Sequence, residues 1–374
     1  MKQRTRKIIL SIFIVLLFLV IFIGTYVTYV CVQYYRIEDD FDLTNNLKNN
    51  QTELISLNQD YSIVTYNIGF GAYSRDFSFF LDTGYSKEGI YQKGKHSTAK
   101  SKEEVLKNIS GSIDIVNNLN VDFMFFQEVD VNSTRSYKVN QLSMIESKFV
   151  NYSSVFGSNA HSAYLFYPLH DPHGIMDAGI ATFSKYKTNS VTRKQLPITN
   201  HIISRLFDLD RCFMVSRLPI KASEKELVLI NIHMSAYDEG GVFRKQQMDL
   251  IQEYLKNEYD KGNYVILGGD FNHDIAGTIN KFPTKQEVPE WVSTLSENDL
   301  TEGYYIAASA DTPTCRSCEI PYEKDVNYFI TIDGFIVSNN IELIYIENIN
   351  ELNNQDVAFM YSDHTPVYFK FKLL

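Results

Sequence analysis

The hydrophobic pattern begins with an uncharged run from residue 8 to residue 30 that shows no polar stripe. A helix needs about 20 apolar residues to cross the hydrocarbon core of a bilayer, and this run is long enough. Four basic residues precede it within residues 1–7, and acidic residues follow it from Glu38 onward. The positive-inside rule therefore predicts a single-pass plasma-membrane anchor, with residues 1–7 cytoplasmic and the body extracytoplasmic.

Beyond the anchor the pattern divides the chain into two parts. Residues 31–59 are polar and rich in Asn, which predicts a linker. From residue 60 to residue 374, short apolar runs alternate with amphipathic stretches, which predict strands and helices respectively. The predicted strands are 61–66, 122–129, 162–167, 178–183, 212–218, 227–233, 264–267, 330–337 and 367–372, and the predicted helices are 105–119, 139–149 and 242–258. This order predicts one α/β domain, 60–374, in which two sheets pack face to face with helices outside, a four-layer α/β/β/α sandwich.

Polar clusters end or interrupt several of these predicted strands. They are Asn67, Glu128, His233, Asp270 with Asn272, Asp333, and Asp363 with His364. Buried carboxylates are costly unless they are paired or bind a metal. Hard oxygen ligands such as those of Asn67, Glu128 and Asp363 favour Mg²⁺, with Mn²⁺ or Ca²⁺ as alternatives. Two histidines beside carboxylates supply a proton donor and a base, so the set predicts metal-dependent hydrolysis of a phosphoester.

Charge and cysteine content narrow the possible partners. The chain carries a net charge of −10, and the residues after Arg36 hold 30 basic and 45 acidic side chains. This balance disfavours a non-specific nucleic-acid binder, which needs a basic surface. Cys315 and Cys318 have the spacing of half a zinc site, but no second pair completes it, so we expect a disulfide or two idle thiols.

Six short motifs occur in one order along the chain: Y-N-I (66–68), Q-E-V (127–129), N-I-H (231–233), G-D-F-N (269–272), I-D-G (332–334) and S-D-H-T-P-V (362–367). Each motif alone is weak, but the ordered set resembles the endonuclease/exonuclease/phosphatase superfamily. That superfamily includes DNase I-like nucleases, bacterial sphingomyelinases, inositol polyphosphate phosphatases and deadenylases. The resemblance covers about residues 60–374 and implies the DNase I-like four-layer sandwich.

The resemblance also implies a role for each position. Glu128 would be the principal metal ligand, with Asn67 close by, and Asp363 would hold the metal or orient His364. His233 would contact the phosphate, Asp270 would activate water, and Asn272 would bind a phosphate oxygen. Asp333 would orient His233, and His364 would be the general base or a phosphate contact.

The substrate is less constrained than the chemistry. The anchor and the acidic body favour a lipid headgroup or a small phosphoester, and no feature predicts a protein partner. An extracytoplasmic metal-dependent nuclease is the alternative, with a basic groove built from Lys93, Lys95, Lys100 and Lys102. A catalytically inactive binding scaffold is a third possibility, which the intact motifs disfavour. The aromatic connection 70–98 is long, so we expect it to be functional.

Overall fold

Two β-sheets carry the polar clusters in the computed structural model, which describes residues 2–198, 210–236 and 242–374. The larger sheet has the strand order β1-β8-β9-β10-β11-β15-β12, and the second has the order β16-β19-β2-β5-β7-β6. The strands are β1 (Phe41–Asp42), β2 (Asp60–Asn67), β3 (Thr83–Tyr85), β4 (Tyr91–Lys93), β5 (Phe123–Asp130), β6 (Ser153–His161), β7 (Asp177–Ser184), β8 (Ser190–Gln195), β9 (Cys212–Pro219), β10 (Glu226–His233), β11 (Tyr264–Asp270), β12 (Tyr304–Ala307), β13 (Cys315–Arg316), β14 (Phe329–Ile330), β15 (Asp333–Ser338), β16 (Ile341–Asn348), β17 (Glu351–Leu352), β18 (Gln355–Asp356) and β19 (Val367–Leu373). The α-helices of the described residues are α1 (Lys2–Gln33), α2 (Lys102–Leu119), α3 (Gln141–Lys148) and α4 (Val242–Asp260).

Alternation along the strands builds the four layers. On β2, Val64 and Tyr66 pack under α2, whereas Ile63 packs against the other sheet. On β10, Val228 and Ile230 pack under α4. Successive side chains of a strand point to opposite faces, so each sheet contributes to two apolar clusters. The three resulting clusters separate α2, the two sheets and α4, which confirms the α/β/β/α sandwich.

The register of the central strands determines where their polar ends lie. β2 runs parallel to β5, and β10 runs parallel to β11. Parallel neighbours end at the same sheet edge. His233 on β10 pairs in register with Asp270 on β11. Asp270 pairs in turn with Asp333 on the antiparallel strand β15. One edge of the sandwich therefore collects the polar clusters of both sheets.

Several stretches differ from the sequence predictions, among them 162–167 and 31–59. The predicted strand 162–167 is wrong, because the strand of this region is β6, at residues Ser153–His161. The apolar residues of 162–167 lie instead in the connection between β6 and β7. The segment 31–59, predicted as a linker, contains β1, which pairs with β8, and Lys48 and Ile55 form isolated bridges to Ser154 and Ile220. This segment is therefore held along the surface of the domain.

The N-terminal helix has the properties predicted for an anchor. Residues Gln3–Gln33 are long and apolar enough to cross a membrane, with a mean hydropathy of 3.2, and the apolar window is not buried in the protein. Membrane spans and signal sequences share these properties, so the helix is a candidate transmembrane segment.

Gly269 offers a test of the strand register that positions Asp270. Its φ is +147°, and a Cβ at this position would lie 2.0 Å from the Ile232 carbonyl oxygen on β10. We expect Gly269→Ala to lower the free energy of unfolding by about 2–4 kcal/mol, because the two backbones would have to separate. Denaturation of the full chain in detergent, followed by the fluorescence of the single tryptophan, Trp291, measures this.

Gly277→Ala is the matched control for that substitution. Gly277 also has a positive φ, +70°, but no atom lies within 4 Å of its Cβ position. Only the backbone strain of about 1 kcal/mol then applies. Equal losses in the two variants would contradict the close approach of β10 and β11 at this point.

Candidate active site

Three neighbouring strands of the larger sheet place an acid–base row at the common edge. His233 ends β10, Asp270 ends β11 and Asp333 begins β15. All three side chains are at least 97% buried. His233 Nε2 lies 3.6 Å from Asp270 Oδ2. The apolar body of each strand fixes the backbone, so the side chains are held in place without local flexibility.

The second sheet contributes Asn67 and Glu128 to the same edge. Asn67 Nδ2 donates to Asp270 Oδ2 at 3.0 Å and to Glu128 Oε1 at 3.3 Å. The side-chain oxygen of Asn67, Oδ1, accepts a hydrogen bond from the Gly69 backbone N–H at 3.0 Å. Asn67 therefore links carboxylates from both sheets. In this orientation it positions Glu128 through its amide N–H.

Glu128 has a strained backbone conformation. Its φ is +54°, and it lies where the pairing of β5 with β7 shifts register between Phe126 and Val129. A positive φ is costly for a residue with a Cβ and is found mainly where the surrounding structure imposes it. The bulge turns Glu128 into the cleft, where its side chain is 24% exposed and Oε1 lies 3.9 Å from His233 Nε2.

The chain between β18 and β19 brings His364 into the row. His364 Nδ1 lies 2.8 Å from Asp333 Oδ2, and its Nε2 lies 3.6 Å from Asp270 Oδ2. An isolated bridge to Cys315 holds His364 in place. The resemblance to the superfamily implied that Asp333 orients His233. The Asp333 carboxylate pairs instead with His364, because β11, which carries Asp270, lies between β10 and β15.

Asp363 and Asn272 lie beside this row. Asp363 is half-buried, and its Oδ1 lies 2.9 Å from the position that a Cβ on Gly69 would occupy. Only a residue without a side chain leaves room for this carboxylate at the cleft. Asn272 is buried, and its Nδ2 donates to the Met234 carbonyl oxygen at 3.0 Å. Its amide thereby ties the loop after β11 to the end of β10.

The two histidines have opposite electrostatic surroundings. Burial lowers the pKa of His233 well below its ordinary value, and the positive charges of Arg211 and His364 lower it further. Burial also disfavours the charged form of His364, but Asp333, Asp270 and Asp363 outweigh it and raise its pKa well above the ordinary value. These surroundings thus favour the neutral form of His233 and the charged form of His364.

The carboxylates of the site are also shifted. Burial raises the pKa of Asp270, and the charge of Asp333 raises it further, while His364 and the hydrogen bonds from Asn272 and Asn67 act against this. Burial likewise raises the pKa of Glu128, with Asp363 adding to the effect and Arg135 opposing it. A group whose pKa approaches neutrality can exchange a proton during a reaction.

The donor set suits a hard divalent cation. Glu128 and Asp363 are the part-exposed carboxylates of the site, and the repulsion between them would be offset by a bound cation. Asp270, Asp333 and His364 form a second, fully buried group whose ligand atoms lie within 4.8 Å of one another and which could hold an ion.

Several residues around the site were not assigned by sequence reasoning. Arg211 lies directly before β9, and its positive charge lowers the pKa of His233. Its position directly before the predicted strand 212–218 was the signal available in the sequence. Cys315 and Cys318 are free, buried thiols, and Cys318 Sγ lies 3.7 Å from Asp363 Oδ2. Their short spacing gave no indication that they line the cleft.

Comparison with solved structures finds the same fold in several proteins. TDP2 of D. rerio complexed with a single-strand DNA product has a TM-score of 0.51 and 13% identity, covering 84% of this chain and 100% of that chain. The catalytic domain of human Nocturnin with a bound sulfate anion has a TM-score of 0.51 and 15% identity, covering 84% and 94%. An endonuclease/exonuclease/phosphatase from Bacteroides vulgatus has a TM-score of 0.51 and 14% identity, covering 84% and 100%. Identities this low establish the fold alone.

Sequence comparison identifies the family. Curated protein sequences give no significant match. The family model of the Endonuclease/Exonuclease/phosphatase family matches residues 64–364, which is well over half of the chain and includes every predicted site residue. Members of this family are in general metal-dependent phosphoester hydrolases. The chain therefore belongs to the endonuclease/exonuclease/phosphatase family.

Proposed function

We propose that this protein is a membrane-anchored, extracytoplasmic, Mg²⁺-dependent hydrolase of a lipid headgroup or another small phosphoester. The observation that carries the proposal is the position of Asp270. Its Oδ2 lies 3.6 Å from Nε2 of both His233 and His364 and accepts a hydrogen bond from Asn67. A base, a neutral imidazole and an imidazolium are thus within reach of one phosphate.

Asp270 suits the role of general base. Burial brings its pKa upward from the ordinary carboxylate range, and a base is most effective when its pKa lies near the working pH. Hydrogen bonds from the Asn272 backbone N–H and Asn67 Nδ2 hold both carboxylate oxygens. Asp270 would therefore take the proton of the attacking water from a fixed position.

The histidines divide the remaining work. His364 remains protonated through its pair with Asp333, so it would donate a hydrogen bond to a phosphate oxygen and stabilise negative charge. His233 remains neutral, so it would form a hydrogen bond with the substrate without adding a charge. The expectation that His364 is the general base is not favoured, because a group that already carries its proton cannot accept another.

Glu128 and Asp363 would hold the divalent cation. When bound, the cation supplies positive charge that neutralises phosphate oxygens. Asn67 holds Glu128 through its amide N–H, and the bulge of β5 directs Glu128 into the cleft. Mg²⁺ is the ion favoured by this all-oxygen set, with Mn²⁺ and Ca²⁺ as alternatives.

A surface nuclease is the second candidate function, which the DNA complex of the similar TDP2 structure favours. The charge of the chain disfavours it. Of the lysines proposed as a basic groove, Lys100 forms ion pairs with Asp76 and Glu104, which reduces the charge available to nucleic acid. An inactive scaffold is a weaker alternative, since the acid–base row is assembled with short contacts.

We expect Glu128→Gln to abolish metal-dependent hydrolysis, because the amide keeps the shape of the side chain but removes a metal ligand. The full chain in detergent or proteoliposomes would be tested on phosphatidyl lipids, sphingomyelin, inositol phosphates, plasmid DNA and RNA. The expected loss in kcat/KM is more than about 100-fold. Chelation should abolish activity in the parent, and added Mg²⁺ should restore it.

Glu302→Gln is the matched control for this variant. Glu302 is exposed and precedes β12. The first residue of β12, Tyr304, pairs with Ser338 at the sheet edge opposite the site. It should keep the activity of the parent. Cleavage of nucleic acid alone would favour the nuclease, and full activity of Glu128→Gln on any substrate would contradict the proposed site.

Asp333→Asn tests whether His364 acts as a cation. Removing the charge lowers the pKa of His364, so the imidazolium would be lost at a lower pH than in the parent. We expect kcat to fall by about 10²–10⁴-fold, with the alkaline fall of the pH–rate profile moving to lower pH. Asp325→Asn, at an exposed position, is the control. An alkaline limb that moves upward or not at all would contradict this role for His364.

A further inference from the structure

We propose that the connection between β6 and β7 lies in the outer face of the bilayer and turns the active-site edge toward the membrane. We call residues 164–169 of this connection, which include the exposed residues Phe166, Tyr167 and Leu169, the membrane tip. The inference rests on the part of the proposed function that makes α1 a transmembrane anchor. It adds a second, lipid-facing contact that is independent of the hydrolytic reaction.

The first observation is that the membrane tip contacts the anchor directly. Tyr26 Oη donates to the Tyr164 carbonyl oxygen at 3.0 Å, and the Tyr164 backbone N–H donates to Tyr29 Oη at 3.2 Å. The ring of Phe166 packs on the ring of Tyr26 with centroids 5.4 Å apart. Tyr26 and Tyr29 lie in the last turn of the apolar run 8–30, so the tip lies beside that turn.

The position of Tyr26 and Tyr29 along α1 places the tip at the membrane surface. A helix rises 1.5 Å per residue, so about 20 residues from Ile8 cross the hydrocarbon core and reach Val27. Tyr26 and Tyr29 then lie at the outer boundary, where tyrosine side chains are enriched in membrane proteins. Tyr164 and Phe166 contact these two residues and are therefore at the same level.

The second observation is the exposure of the tip. Leu169 is 86% exposed, Tyr167 is 57% exposed and Phe166 is 47% exposed. The sequence from Ser162 to Leu169 contains no charged residue. A contiguous apolar surface of this kind marks a contact with a partner, and here it continues the apolar surface of the anchor. A lipid bilayer is the partner that covers both.

The tip is also held so that it cannot fold back on the domain. Leu165 and Gly174 exchange backbone hydrogen bonds of 3.1 and 3.0 Å. The Asp171 carboxylate accepts hydrogen bonds of 2.9 Å from the Ser97 N–H and from Thr98 Oγ1. The connection is thereby fastened to the segment that precedes α2. Phe166 and Leu169 are exposed on this base, whereas the ring of Tyr167 also packs near the ring of Phe80, with centroids 6.0 Å apart.

The third observation connects the tip with the active site. Ala178 and Gly179, at the start of β7, pair with Asp130 and Val129, next to Glu128. The connection between β6 and β7 therefore leaves the sheet at the same edge that carries the acid–base row. If the tip lies in the bilayer surface, the cleft at this edge faces the headgroup layer. Its substrate would then be a phosphoester held in that layer.

A fluorescent label at residue 169 tests the contact. The full chain carries Cys31→Ser to remove the exposed cysteine, and Leu169→Cys is labelled with an environment-sensitive fluorophore. The protein is reconstituted in phosphatidylcholine vesicles that contain spin-labelled lipids. We expect blue-shifted emission and about twofold or stronger quenching by lipids labelled near the headgroup, since such contacts reach about 5–10 Å into the boundary region.

Leu343→Cys, labelled in the same background, is the matched control. Leu343 is an exposed leucine on β16, the strand at the far side of the sheet from β6, near the edge opposite the site. Its label should emit as in water and remain unquenched. Water-like emission at residue 169, or equal quenching at both positions, would overturn the proposal, as would release of the chain by alkaline carbonate.

The experiment separates this inference from the proposed reaction, because the fluorescence requires no turnover. Selective quenching at residue 169 in a protein that hydrolyses nothing would keep the membrane contact and overturn the hydrolase. Hydrolysis without quenching at residue 169 would keep the hydrolase and overturn the membrane contact.

Discussion

The site depends on hydrogen bonds that join the two sheets at their common edge. Gln127 Nε2 donates to Asn231 Oδ1 at 2.8 Å, and Asn67, which pairs with Gln127 on the neighbouring strand, donates from Nδ2 to Asp270 Oδ2. Gln127 and Asn231 are both fully buried, where an unpaired amide would be costly. Their hydrogen bond therefore fixes how one sheet is placed over the other. Without that placement, Glu128 and His233 would belong to separate surfaces.

A fixed placement explains how the site holds so many ionisable groups out of water. Each carboxylate has a defined partner: Asp333 has His364, and Asp270 has Asn67 and the Asn272 N–H. The partners differ, so burial lowers the pKa of His233, whereas the carboxylates around His364 raise its pKa. The pKa values of the two imidazoles shift in opposite directions because His364 contacts the Asp333 carboxylate. The proposed division of acid and base roles would thus be a consequence of strand order, since Asp270 separates His233 from Asp333.

The sequence predicted the members of this site better than their pairing. Polar residues at the ends of apolar runs identified Asn67, Glu128, His233 and Asp270, because parallel strands end at one edge. The partner of Asp333 could not be read in the same way. His364 reaches it from a loop whose position depends on Cys315, a contact between residues far apart in sequence. The bulge that turns Glu128 into the cleft has no local signal either, because its φ of +54° is imposed by β7.

The wrong strand prediction at 162–167 has a physical reason that bears on function. Residues 163–167 form a continuous apolar run, as in a buried strand, but Tyr164 and Phe166 contact α1 instead of the core. The segment that follows α1 is also held against the domain. Arg36 pairs with Asp210 at 2.8 Å, and Phe41 pairs with Arg193 across β8. In the proposed membrane-anchored arrangement, these contacts would restrain the domain relative to the bilayer. The orientation of the cleft would then be set by the contacts that hold the segment after α1, and substrate access would depend on the membrane as well as on the acid–base row.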